Sequence, residues 1–137
     1  MDPSVLVAAL RSPAGASNLL LEFVLTGRVK PLLSVPLFLE YEAVLKRPEQ
    51  LSVFRLSTSQ VDLLLGSIWA VDIAVDLSFR WRPQLNDPGD EMILDTAVNG
   101  RADAIVSHNR RDFLAGAARF GIQVLSPAEA WERVRRV

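Results

Sequence analysis

The residues of this sequence that could do chemistry are carboxylates that interrupt apolar helix faces. In the helix predicted over residues 36–45, Leu37, Tyr41 and Val44 recur at the spacing of one face. Glu40 falls at i+3 from Leu37, within that stripe. A carboxylate on a core-facing stripe is costly unless it is paired, protonated or bound to a cation. Glu40 is therefore a candidate metal ligand, the alternative being a position at the stripe's edge that reaches solvent or an arginine.

Two aspartates repeat this pattern at the starts of apolar segments. Asp90 begins a helix predicted over residues 90–98, and Ile93 and Leu94 follow it at i+3 and i+4. An aspartate in the first turn also favours the helix dipole, which is the alternative explanation for Asp90. Asp2 stands directly before an apolar run and carries no information by itself. Both acids are candidates for a carboxylate cluster with Glu40.

Polar groups also follow the short apolar strand predicted over residues 104–106. Ser107, His108 and Asn109 come directly after it, and Asp112 follows shortly. In α/β sheets the ligand crevice lies beyond the carboxyl ends of the strands, so these residues are expected there. The alternative is an ordinary turn in which Asn109 or Asp112 caps the next helix. His108 has no serine or cysteine partner nearby in the sequence, and we do not expect it to act as a general base.

A cluster of these acids would require a cation. Like charges packed together repel unless a cation neutralises them. Carboxylate and amide oxygens are hard ligands that suit Mg²⁺ or Mn²⁺. Such an ion lowers the pKa of a bound water and stabilises charge on a phosphate. Spacing alone does not establish that the acids converge.

The elements that would position these residues alternate between strands and helices. Helices of this length between strands imply crossover connections and a parallel sheet with helices on its faces. Residues 76–89 are the least regular stretch. We predict helices over residues 16–25, 36–45, 57–69, 90–98 and from 126 onward, and strands over residues 30–33, 71–75, 104–106 and 122–125.

Composition sets the outer limits on function. The 137 residues are half hydrophobic, which fits one globular domain over residues 1–137. The sequence has no cysteine, so disulfides, thiolate zinc sites and cysteine nucleophiles are excluded. No apolar run approaches the roughly 20 residues that a membrane-spanning helix needs. We expect a cytoplasmic protein without a membrane partner.

Some side chains lead to narrower expectations about exposure. Trp69 and Trp131 lie on amphipathic helices, where core packing is the usual role of tryptophan. Trp81, in the irregular stretch, is the better candidate for an exposed tryptophan. Near Asp90, we expect Asp87 to be a turn or cap residue and Glu91 to be a surface charge.

Five short segments, in order along nearly the whole chain, carry a family resemblance. The segments are DPSVLVAAL at 2–10, S at 34 with EYEAVL at 40–45, DPGD at 87–90, ADAIVSHN at 102–109 and VLSPAE at 124–129. They resemble the motifs of the PIN-domain family, particularly its VapC-like toxin nucleases. The resemblance implies a three-layer α/β/α sandwich with a central, mainly parallel sheet. It also implies a ribonuclease that depends on Mg²⁺ or Mn²⁺ and leaves a 3′-hydroxyl and a 5′-phosphate.

The resemblance also implies roles for individual residues and for partners. Asp2, Glu40 and Asp90 would hold the metal. Asn109 would occupy the fourth acidic position of the family's site, supported by Asp112. Ser107 would position a ligand or a metal-bound water. Such toxins act on RNA, pair with an antitoxin whose peptide covers the site, and commonly form homodimers. The chain would then be the toxin component of a type II toxin–antitoxin system.

Two other functions stay open on the sequence. Ser4 stands where the family has asparagine, Asn109 stands where many relatives have aspartate, and the family's first apolar strand has no counterpart before Asp2. Either the natural start lies upstream or that strand is missing. These departures favour a catalytically impaired PIN-like domain that binds RNA or protein. A phosphotransfer protein using Asp2 would need a nearby lysine, but Lys30 and Lys46 are poorly placed.

Overall fold

The computed structural model describes residues 1–77 and 88–136, and this part of the chain forms an α/β structure. Helices dominate, and each strand has only two or three residues. A short 3₁₀ helix covers Arg110–Asp112. The helices are α1 (Pro3–Arg11), α2 (Ala16–Leu25), α3 (Val35–Leu45), α4 (Pro48–Phe54), α5 (Thr58–Val71), α6 (Pro88–Asn99), α7 (Leu114–Ala118) and α8 (Pro127–Val134), and the strands are β1 (Leu32–Leu33), β2 (Ile73–Ala74), β3 (Ala104–Val106) and β4 (Gln123–Leu125).

Local sequence signals set most helix boundaries. Ser57 begins α5 with a capping box, in which its hydroxyl accepts from the Gln60 backbone and the Gln60 side chain accepts from the Ser57 backbone. Ser126 begins α8 in the same way with Glu129. Pro48 occupies the first turn of α4, where its missing N–H costs nothing. The predicted helices are thus present, and α1, α4 and α7 are additional.

The strands pair in parallel, as predicted, but they do so in two separate pairs. Leu32 of β1 lies opposite Ile73 of β2, and Ile105 of β3 lies opposite Val124 of β4. Within the described residues no ladder joins the two pairs, so a single central sheet is absent there. The predicted strands are therefore present. β3 has the predicted bounds, and β1, β2 and β4 are shorter than expected.

In the described residues, no strand bridges the region between the two strand pairs. The Asp2 backbone N–H donates to the Val106 carbonyl at 2.9 Å, which occupies the free edge of β3. Helix α1 begins at the next residue, so the backbone is helical directly after this contact. A cavity of about 520 Å³ lies between the two strand pairs, and its apolar lining includes Leu32 of β1 and Ile105 of β3.

One large core holds most of the helices together. Tyr41 and Phe113 are its largest fully buried side chains. A smaller cluster forms under α2 and α8, where Trp131 packs edge-on against Phe23 with ring centroids 4.6 Å apart. The prediction that Trp69 packs in the core is wrong, because 42% of its surface is exposed. It lies at the edge of the buried face of α5 and contacts Phe38 instead.

None of the described helices taken singly has both the length and the apolar composition needed to cross a membrane. The longest, α5, has 14 residues, whereas a spanning helix needs about 20. The pair α1 and α2 meets the requirement only when joined, and the two are bent by 107°.

Candidate functional site

Residues from four separate segments of the chain meet around one open pocket of about 560 Å³. Asp2 comes from the start of α1, Glu40 from α3, Asp90 from α6, and Asn109 from the loop after β3. Ser4 also lines the pocket. The structure therefore brings together the residues that the sequence singled out separately, and their roles stay predictions.

Asp2 is the most firmly held of these residues. It caps the N-terminus of α1, and its carboxylate accepts a hydrogen bond from the Ser4 backbone N–H at 3.3 Å. The buried Ser107 hydroxyl donates a short hydrogen bond to the other carboxylate oxygen. The Ser107 hydroxyl oxygen also accepts from the Asn109 backbone N–H at 2.9 Å. Ser107 thus links two predicted site residues and positions the Asp2 carboxylate.

The surroundings of Asp2 are poor in solvent. Asp2 itself is only 7% exposed, and the phenol of the buried Tyr41 donates to the Met1 carbonyl at 2.5 Å. Burial, and secondly the negative charge of Asp2, raise the pKa of Tyr41 well above its ordinary value. Burial lowers the pKa of the amino terminus, and the Asp2 charge acts in the opposite direction. A cation near Asp2 would be favoured because little water screens the carboxylate charge.

Glu40 and Asp90 are half-buried and are carried by two helices that are tied to each other. Glu40 lies at the edge of the buried stripe of α3 and faces the pocket, not the core. The buried hydroxyls of Ser34 and Thr96 lie 2.7 Å apart, which fixes the start of α3 against α6. This contact sets the position of the Glu40 helix relative to that of Asp90.

The donor set has the right chemistry for a hard divalent ion, although the side chains do not close around one point. Three carboxylates, the amides of Asn109 and Gln50, the Ser4 hydroxyl and the His108 imidazole line the pocket, and none of these is a soft thiolate or thioether ligand. Among the residues that the structure describes, no group of three or more His, Cys, Asp or Glu is arranged as a metal cluster. Mg²⁺ is usually bound by one or two carboxylates together with several waters and substrate phosphates. The open pocket fits that mode of binding.

Two acids of α6 behave differently from the expectation. Glu91 is only 4% exposed, so the prediction of a surface charge is wrong. Asp95 is 1% exposed, and no role was predicted for it. Asp95 falls between Leu94 and Ala97, among buried apolar positions, which is the same signal that identified Glu40. Neither acid lines the pocket.

The remaining predictions near the site have mixed outcomes. His108 does have a serine partner, because its Nε2 lies 3.1 Å from the hydroxyl of the buried Ser17 on α2. This contact ties the loop after β3 to α2. Asp112 is exposed at the end of the 3₁₀ helix and does not line the pocket. Asp87 and Trp81 lie outside the described residues.

Comparison with known proteins gives one match. The sequence profile of a family described as PIN domain matches residues 1–111, which is well over half of the chain. The match includes Asp2, Glu40, Asp90 and Asn109 and ends one residue before Asp112. No curated protein gives a significant match, and no solved structure does.

Proposed function

Because this chain belongs to the PIN-domain family, whose members are generally nucleases, we propose that it is a ribonuclease dependent on Mg²⁺ or Mn²⁺. One observation carries the proposal. Asp2, Glu40, Asp90 and Asn109 come from four distant segments and line the same pocket. A packed protein gathers acids in this way at a cost, since like charges repel without a cation.

The proposed mechanism assigns the chain's residues to holding and positioning. Asp2, Glu40 and Asp90 would hold the metal ion, and the Asn109 amide would occupy the fourth acidic position of the family's site. A bound divalent ion lowers the pKa of its water and stabilises charge on the phosphate. The Ser107 hydroxyl fixes the direction of the Asp2 carboxylate. The products are an RNA with a 3′-hydroxyl and one with a 5′-phosphate.

The positions of Ser4 and Asp112 decide which of them has a role in the proposed site. Ser4 lines the pocket, and its hydroxyl accepts from the His108 backbone N–H at 3.5 Å, so Ser4 helps to hold the loop after β3. Asp112 is exposed and does not line the pocket, so we assign the fourth acidic position of the family's site to Asn109 alone.

We also propose the biological setting that the family resemblance implies. The chain would act in the cytoplasm as the toxin of a type II toxin–antitoxin pair, be covered at the pocket by an antitoxin peptide, and form a homodimer. Exposed apolar residues on α3, Val35 at 60% and Leu39 at 55%, support a protein partner. In the proposed three-layer arrangement, the pairs β1–β2 and β3–β4 belong to one sheet layer between helices.

The test of the proposal is cleavage of a mixed single-stranded RNA by the purified chain in Mn²⁺ or Mg²⁺, with a chelator control. We expect cleavage only with metal, and products that carry a 5′-phosphate. Cleavage that continues in the chelator would contradict the proposal, and so would products with a 3′-phosphate.

A second candidate is a PIN-like module that binds RNA or protein without cutting. The open arrangement of the carboxylates, together with Ser4 and Asn109 at site positions, favours it. Calorimetric titration with Mn²⁺ separates the two functions. An active nuclease binds the ion, and Asp90→Asn weakens that binding. An impaired module binds RNA but shows no Mn²⁺ binding that depends on Asp90.

A further inference from the structure

The pocket extends along helix α1 as a groove whose two ends carry opposite charge. Ser4, Val7, Ala8 and Arg11 line it, at the i, i+3, i+4 and i+7 spacing of a single helix face. The opposite face of α1 is buried in the core, so the groove face is fixed in orientation. Asp2 precedes this face at one end, and Arg11 closes it at the other.

The segment containing α3 forms the second wall in the same order. Glu40, Val44 and Arg47 line the groove at i, i+4 and i+7, with Arg47 at the start of α4. Both walls therefore run from an acid to an arginine in the direction of the chain. The part between them is lined by small or apolar side chains such as Ala8 and Val44.

The two arginines differ from the neighbouring Lys46 in their interaction partners. Among the described residues, neither Arg11 nor Arg47 forms an ion pair. Arg11 is held by a neutral partner, since its Nε and Nη2 donate to the Gln50 Oε1 at 3.2 and 3.0 Å. Lys46 is different, because its ammonium lies 3.2 Å from Glu42 and 2.6 Å from Asp62. The basic end of the groove is thus free to attract an anion.

The length of α1 sets the distance between the two ends. Its nine residues, at 1.5 Å per residue, place Arg11 roughly 13 Å from Asp2 along the helix axis. Consecutive phosphates of a stacked strand rise about 3.4 Å, so this distance corresponds to about four nucleotides. An extended strand would span it with fewer. A single-stranded RNA of a few nucleotides can therefore place phosphates at both ends of the groove.

We propose that Arg11 and Arg47 bind backbone phosphates of a single-stranded RNA whose scissile bond lies at the acidic end of the groove. The assignment rests on the proposed nuclease function and adds the path and direction of the substrate. Gln50 is a positioning residue, because its amide oxygen holds the Arg11 guanidinium at the groove wall. The arginines are binding residues and do not take part in the bond-breaking step.

The first test is RNA binding without metal. A labelled 12-nucleotide single-stranded RNA is titrated, in chelator and at several salt concentrations, with the unmodified chain, Arg11→Gln, Arg47→Gln and the double variant. Each substitution should weaken binding roughly two- to fivefold, as expected for one exposed charge contact. Each should also lower the slope of log affinity against log salt by about 0.7. Arg11→Lys and Arg47→Lys should keep the slope.

The controls separate these contacts from general charge effects. Arg136→Gln removes the same charge from the exposed end of the chain, outside the groove, and should change binding less than either groove variant. Gln50→Ala should reproduce part of the Arg11→Gln loss and have no further effect when Arg11 is already glutamine. An unmodified chain that binds no RNA would overturn the inference. Groove variants that bind like Arg136→Gln would also overturn it.

The second test compares substrates of different length in Mn²⁺. Arg11→Gln with Arg47→Gln should raise KM for the 12-nucleotide RNA by a larger factor than KM for a dinucleotide, because the dinucleotide cannot reach both ends of the groove. Equal losses for both substrates would overturn the inference. Binding of the predicted kind without any cleavage would uphold the path of the RNA and refute the nuclease. Normal cleavage of the 12-nucleotide RNA by the double variant, with an unaltered KM, would uphold the nuclease and refute the path of the RNA.

Discussion

Replacing Ser107 with alanine should weaken both the fold and the metal affinity of the pocket, because one hydroxyl serves two neighbours. It donates to the Asp2 carboxylate and accepts from the Asn109 backbone N–H, and Ser107 is fully buried. A hydrogen bond to a charged group contributes about 1.5–3 kcal/mol to the free energy of unfolding, and a neutral one about 0.5–1.5 kcal/mol. Since some water can reach Asp2 once the hydroxyl is gone, we expect a total loss of about 2–3 kcal/mol.

Metal affinity should fall for a separate reason. Groups that orient metal ligands typically contribute 10- to 100-fold to affinity. The Ser107→Ala variant should therefore bind Mn²⁺ about tenfold more weakly, at the low end of that range, because Ser4 still holds Asp2 through its backbone N–H. Urea unfolding measures the first quantity, and calorimetric titration with Mn²⁺ measures the second.

The matched control is Ser59→Ala. Ser59 is exposed on α5, away from the pocket, and its substitution should change the free energy of unfolding by less than about 0.5 kcal/mol. If Ser107→Ala unfolds at the same urea concentration as Ser59→Ala and binds Mn²⁺ as tightly, the hydroxyl does not position Asp2.

Further predictions concern stability. Tyr41→Phe removes the buried hydrogen bond to the Met1 carbonyl and should cost about 1–2 kcal/mol in urea unfolding, and an unchanged midpoint would contradict this. Gly100→Ala would place a methyl group 2.7 Å from the Leu32 side chain and should cost about 1–3 kcal/mol by the same assay, and an unchanged midpoint would contradict this. Hydrogen bonds from the Ser126 backbone, and secondly the side chain of Arg110, hold the pKa of Glu129 below its ordinary 4.5, so its stabilisation is present at neutral pH and is lost as pH falls through the lowered pKa. Glu129→Gln should therefore melt below the unmodified chain at pH 7 and approach it in acid, whereas a constant gap would refute this.

Local patterns predicted the helices well because their signals lie within a few residues. The Ser57 and Ser126 capping boxes each need only four consecutive residues, and both are present. The apolar stripe of α3 likewise follows from a period of 3.6 residues, but Glu40 lies at the edge of the stripe, which was the alternative to a position within it. The predicted end of this helix at residue 45 is confirmed, and a new helix begins at Pro48.

Contacts between distant residues were beyond the reach of these patterns. The Asp2–Ser107 hydrogen bond joins positions 105 residues apart, and nothing near either residue encodes it. The same holds for the serine partner of His108, which lies 91 residues away on α2. The burial of Glu91 was missed because a helix start favours acids on any face, which masks the cost of burying one.

The strands were predicted, but their assembly into one central sheet was not observed in the described residues. Apolar runs identified all four strands, whereas pairing depends on which strand edges meet in space. The pairs β1–β2 and β3–β4 are separated by a cavity that Leu32 and Ile105 line. The acids nonetheless meet around one pocket.

The most direct test of the central claim is the initial rate of RNA cleavage in Mn²⁺ for Asp90→Asn beside Asp103→Asn. Both substitutions remove one carboxylate charge, but Asp90 lines the pocket, whereas Asp103 is exposed elsewhere. The metal-site account predicts that Asp103→Asn cleaves like the unmodified chain and that Asp90→Asn loses at least about 100-fold, the scale of one essential group at a reacting centre. Equal rates for the two variants would contradict it.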